Sequence, residues 1–63
     1  MLFGKNNNKA KAIKLIEAAI EETENKSDRA YATGLIEMAY ELEVITMNER
    51  AEYKEVLYSK ELN

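Results

Sequence analysis

Carboxylates are the chemically suggestive side chains that recur at regular spacing in this chain. Glu17, Glu21 and Glu24 follow one another at i, i+4 and i+7, and Glu37 and Glu41 repeat the i, i+4 step. On a helix that spacing puts the acids on one face, where oxygen donors can hold a divalent cation. Di-metal carboxylate bundles add a Glu-x-x-His motif, and the chain has no histidine. The helical wheel also sets these glutamates on the polar sides of their helices. Solvated surface charge is the expectation, with no metal and no other cofactor.

The hydroxyls point the same way. Ser27, Ser59, Thr23, Thr33 and Thr46 have no histidine to activate them, and no Ser-x-x-Lys arrangement or cysteine supplies another nucleophile. Gly4 and Gly34 are isolated, so no glycine-rich phosphate loop forms. The chain is expected not to be an enzyme.

Side chains suited to contact are better represented. Tyr40 falls about 180° from Tyr31 on a helical wheel and stands among Glu37 and Glu41. A large aromatic among acids fits a contact site; alternatively it packs on the N-terminal arm or a third helix. Tyr31 lies inside an apolar stripe and is expected in the core. Met47, Ala51, Tyr58 and Leu62 form a stripe of their own, which reads as either a weakly exposed surface or a docking face. Gly34, in the run Ala30-x-x-x-Gly34-x-x-x-Met38, would let another helix approach closely. Lys5, Lys9, Lys11 and Lys14 could touch nucleic acid or an acidic partner, although four lysines without arginine or aromatics make a weak footprint. Met1-Leu2-Phe3 could instead dock into a partner groove.

The elements that position these residues follow from periodicity. The chain has no proline, and its polar run Gly4-Lys5-Asn6-Asn7-Asn8 suggests a flexible basic arm over residues 1–8, with Asn8 as a cap. From about residue 9 to 25, Ala12, Ile13, Leu15, Ile16, Ala19 and Ile20 share an arc of about 160°, which predicts an amphipathic helix. Its glutamate-rich end opposes the helix dipole and should fray. Ser27 or Asp28 can cap a second helix, about 28–44. Its apolar set, including Tyr31, Leu35, Ile36, Met38 and Leu42, spreads over about 200°, which suits a central helix contacted from two sides. Thr46, followed three residues later by Glu49, fits a capping box, with Ile45 plugging the turn. A third helix then follows, about 47–59, with Tyr53, Val56 and Leu57 on one stripe and the Met47 set about 100° or more away.

The segment Leu42-Glu43-Val44-Ile45-Thr46-Met47-Asn48-Glu49, with Glu52-Tyr53, resembles the turn of short bacterial helical-hairpin domains such as SHOCT. The resemblance covers roughly a third of the chain. It implies a helical hairpin there and carries no function with it. Glu43 or Val44 stands where that turn usually has glycine.

Length makes support from outside the chain attractive. Sixty-three residues form at most one domain, and a chain of this size buries only about 60% of its unfolded surface. Natural proteins this small add disulfides, a metal or a second copy, and without cysteine or histidine the last is the expectation. The predicted fold is therefore all-α: a short three-helix hairpin-type bundle over residues 9–63, completed by homodimerisation through the second helix, the third, or both.

Net charge is −3 but uneven. Residues 1–14 carry four lysines and no acid, whereas residues 15–63 hold twelve acids against five bases, a local −7. So acidic a body repels phosphate backbones, leaving the arm as the segment that could bring nucleic acid. No run approaches the ~20 apolar residues of a membrane span, and no signal peptide is evident. A soluble, cytoplasmic protein without membrane contact is expected.

These readings converge on a small non-catalytic protein–protein interaction module. It would be an adaptor, regulator or stoichiometric inhibitor, acting as a helical homo-oligomer on a protein target. Size and acidity supply an analogy to phage or mobile-element products that block a host protein. The alternative is a nucleic-acid-binding helical dimer using the basic N-terminal arm. A small-molecule pocket lacks convergent polar groups.

Overall fold

A computed structural model describes residues 5–62, and they form three helices: α1 (Lys5–Glu21), α2 (Lys26–Glu41) and α3 (Met47–Tyr58). No strand occurs among the described residues. α2 is the central element, packing on both α1 and α3, which touch each other less.

α1 begins and ends earlier than its apolar pattern predicts. Asparagine costs a helix less than about 0.7 kcal/mol per residue, so the polar run from Lys5 to Asn8 carries the helix backward. Residues 1–4, including the Met1-Leu2-Phe3 segment, lie outside the described residues. At the other end, Asn25 leaves α1 to cap α2. Its side chain accepts the Asp28 N–H at 2.8 Å, while Asp28 Oδ2 accepts the Glu24 N–H at 3.0 Å. Ser27 and Asp28, the expected caps, are the second and third residues of the helix instead.

The acidic end of α1 is held from a distance. Lys60 Nζ donates to the Ile20 carbonyl at 2.6 Å and the Glu21 carbonyl at 2.9 Å. This cation stands at the negative end of the dipole, where α1 has no basic residue in its last turn. Buried Thr23 donates its hydroxyl to the Ala19 carbonyl at 2.7 Å, occupying a further C-terminal acceptor.

α2 stops at Glu41 because the chain turns over. Leu42 is the C-cap, and Glu43 follows in the left-handed region at φ 61°. The Glu43 N–H donates to the Tyr40 carbonyl and the Val44 N–H to the Ala39 carbonyl, at 2.9 and 2.8 Å. That pair of bonds is a Schellman motif, with glutamate in the position usually held by glycine. Ile45 then plugs the turn, 3% exposed. The capping box opens α3 as expected: Glu49 N–H donates to Thr46 Oγ1 at 3.1 Å, and Thr46 N–H to Glu49 Oε1 at 2.8 Å.

The core is small. Eight apolar residues are buried among those described, three of them alanines, and the large side chains fully enclosed are Ile16, Ile36 and Leu57. The chain extends 42 × 19 × 13 Å, so much of each helix faces outward.

Candidate interaction surface

The surface of α2 divides lengthwise. Ala32, Ile36 and Ala39 turn inward, and Tyr31, Met38 and Leu42 lie about 100° away around the helix. These three are 65%, 60% and 67% exposed, with half-buried Leu35 at their margin. From α1, Leu15 joins them at 60% exposure. Between the two helices runs a groove of about 130 Å³, lined by Ala12, Leu15, Leu35, Met38, Leu42 and Val44.

This placement corrects the reading of the apolar stripes. Tyr31 is not a core residue but stands on the outer side of the stripe. α2 is contacted from two sides, as expected for a central helix, but α3 meets it along Thr33, Glu37 and Tyr40, which leaves the Tyr31 and Met38 side of the arc bare. Leu15, Met38 and Leu42, counted among the inward-facing sets, are exposed as well. The breadth of the arc was the signal that could have singled them out.

Tyr40 takes the opposite course. Expected either exposed among acids or packed, it is half-buried against the core beside α3. The Arg50 guanidinium lies 4.9 Å from its ring centroid, a cation–π arrangement. Arg50 Nε also donates to both Glu37 carboxylate oxygens, at 3.1 and 3.2 Å, and Lys54 pairs with the same carboxylate. Those hydrogen bonds, from Lys54 first and Arg50 second, hold the Glu37 carboxyl below its ordinary value. Arg50 is correspondingly raised by its bond to Glu37.

The α3 stripe is largely bare. Met47 is 63% and Tyr58 52% exposed, Ala51 is exposed, and Leu62 is half-buried. Tyr58 is engaged along one edge: its hydroxyl lies 3.2 Å from Thr33 Oγ1, and the Arg29 guanidinium 5.0 Å from its ring centroid. Arg29 also donates to the Lys60 carbonyl at 3.3 Å, while its Nε is buried with no partner among the described residues. Val56, expected inside with Leu57, is 54% exposed. It sits about 100° from Leu57, on the side α2 does not reach. Gly34 is exposed, and a Cβ there would meet nothing within 4 Å among the described residues, so none of the described helices approaches it.

Of the lysines, Lys5 is the first residue of α1, and Lys11 and Lys14 are exposed. Lys9 instead pairs with Glu49 at 3.2 Å. The Thr46 backbone N–H first, and then Lys9, hold the Glu49 carboxyl low. Tyr53 is half-buried between α1 and α3, and burial first, then Glu17, Glu49 and Glu52, raise its phenol.

The hydroxyls bond to the backbone: Thr23 to Ala19, Thr33 to Arg29 and Ser59 to Val56. No group of three metal-ligating side chains gathers among the described residues, and no described helix is long and apolar enough to cross a membrane. The chain matches no protein-family model, and no curated protein or solved structure matches it.

Proposed function

We propose that this chain is a small non-catalytic interaction module, an adaptor, regulator or stoichiometric inhibitor, that binds protein through the apolar face shared by α1 and α2. One observation carries the reading. Leu15, Tyr31, Met38 and Leu42 stand together on the surface, each 60% exposed or more. Contiguous apolar patches beyond a few hundred Å² are uncommon on monomeric proteins and mark interaction sites.

The face suits an amphipathic helix laid along the groove, with apolar side chains entering at i, i+3, i+4 and i+7. The α3 stripe is the weaker candidate, because Tyr58 is already committed to Arg29 and Thr33. The acidic flanks, including Glu22 and Glu41, would contribute charge selection at the rim more than affinity.

Affinity capture from the source cells tests the reading with wild type, Met38→Glu and Tyr58→Ala compared. Loss of a bound protein in Met38→Glu, with helicity retained, supports the α1–α2 face. Retention in Met38→Glu with loss in Tyr58→Ala moves the site to α3.

A further inference from the structure

We infer that α1 pairs antiparallel with the α1 of a second copy of this chain, through the outward strip Lys11, Lys14, Ala18, Glu21 and Glu22. The inference stands apart from the α1–α2 docking face and leaves that face open to another protein. The five residues fall within an arc of about 100° and all are exposed. They lie on the far side of α1 from buried Ile16 and Ile20.

The order of charge along the strip carries the inference. Its N-terminal half is basic and its C-terminal half acidic, with the small Ala18 near the change of sign. A twofold axis there sets each half against the opposite half of the second copy. Lys11 then lies level with Glu21 of that copy, and Lys14 lies level with Ala18, about one turn from Glu22. Among the described residues, neither lysine and neither glutamate has an ion-pair partner within the chain, whereas Lys9 is paired with Glu49.

The helix dipole adds a second argument. α1 has no acid in its first turn and no base in its last, so its own charges oppose the dipole at both ends. An antiparallel copy lays acids beside the positive half and lysines beside the negative half. Other occupants fit worse. A parallel copy sets like charge on like, a nucleic acid meets the glutamates, and a uniformly acidic or basic protein surface is repelled by one half.

Exposed ion pairs are individually weak and screened by salt, so the test needs low ionic strength and high concentration. Sedimentation equilibrium of the full chain from about 10 μM to 1 mM serves, and wild type should approach twice the chain mass. Lys11→Glu with Lys14→Glu makes the strip acidic throughout, and Glu21→Lys with Glu22→Lys makes it basic throughout. Each double variant alone should pair at least tenfold more weakly than wild type. An equimolar mixture of the two should regain pairing, because one strip is then wholly acidic and the other wholly basic. Met38→Glu should pair like wild type.

The four side chains are exposed, and every substitution places charge in the sense the dipole favours, so helicity should survive. If a double variant unfolds, the fourfold variant decides. It carries both signs in reversed order and should pair like wild type. A wild-type monomer throughout overturns the inference, as does a dimer indifferent to both reversals. A mixture that stays monomeric, or a monomeric fourfold variant, overturns it as well. A dimer lost in Met38→Glu but kept through both reversals also overturns it and moves the pairing to the α1–α2 face. Loss of a captured protein in Met38→Glu, by contrast, bears on the docking face alone.

Discussion

The Lys60 ammonium group reaches back to the Glu21 carbonyl at 2.9 Å, tying the end of the chain to the end of the first helix. With its companion bond to Ile20, this contact supplies from 39 or 40 residues away the positive charge α1 lacks locally. Lys60→Met keeps the stem and removes the donor. It should lower stability by about 1 kcal/mol, in line with loss of a partly exposed charged hydrogen bond. Thermal denaturation of the variant checks this, and an unchanged midpoint would mean water replaces the lysine at no cost.

Two backbone positions should be improvable. Glu43 is held at φ 61°, and a side chain in that region costs roughly 1–2 kcal/mol that glycine avoids. Glu43→Gly should therefore stabilise the chain by about 1 kcal/mol in denaturant unfolding.

Gly34→Ala should also stabilise, by about 0.5–1 kcal/mol, through helix propensity alone. A new Cβ there meets nothing within 4 Å. A loss of stability would place another chain close against Gly34.

Neighbouring residues on α3 should behave in opposite ways. Leu57 is fully enclosed, so Leu57→Ala should cost about 2–5 kcal/mol by leaving a cavity. Val56 is 54% exposed, and Val56→Ala should change stability by less than about 1 kcal/mol. Comparable losses at both positions would mean that α3 is covered on a second side.

Acid should weaken the fold through two glutamates. Glu37 and Glu49 both ionise more readily in the folded chain than their ordinary value. Their contribution is complete above the unfolded value of about 4.3 and is lost as pH falls through the lowered folded values. Melting temperatures measured from pH 6 downward should drop in that window. The combined Glu37→Gln, Glu49→Gln variant should show a shallower drop, and an identical profile would remove both carboxylates from the explanation.

Much of the architecture was legible in the residues. The Thr46–Glu49 capping box, the Ile45 plug and the 3.6-residue periodicity are local signals, and local physics settles them. Distant partners were not legible. Arg50 beside Glu37 brings Tyr40 under a guanidinium, and no spacing rule announces a contact between residues ten apart across a turn. Helix limits were displaced where a cap was chosen among several polar residues, as Asn25 was over Ser27 and Asp28. The surface was half legible: the bare α3 stripe was expected, whereas Leu15, Tyr31, Met38 and Leu42 were hidden inside arcs that read as buried. A wheel shows how wide an apolar arc is, but tertiary packing decides which part of it is covered.

The most direct test is methyl NMR of the chain with a soluble paramagnetic probe, alone and with the protein captured from the source cells. Leu42, Met38 and Leu15 methyls, each 60% exposed or more, should broaden in the chain alone and become shielded once the captured protein is added, while Val56 methyls, 54% exposed, broaden in both. Equal broadening of the two groups with the captured protein bound would contradict a docking face on α1 and α2.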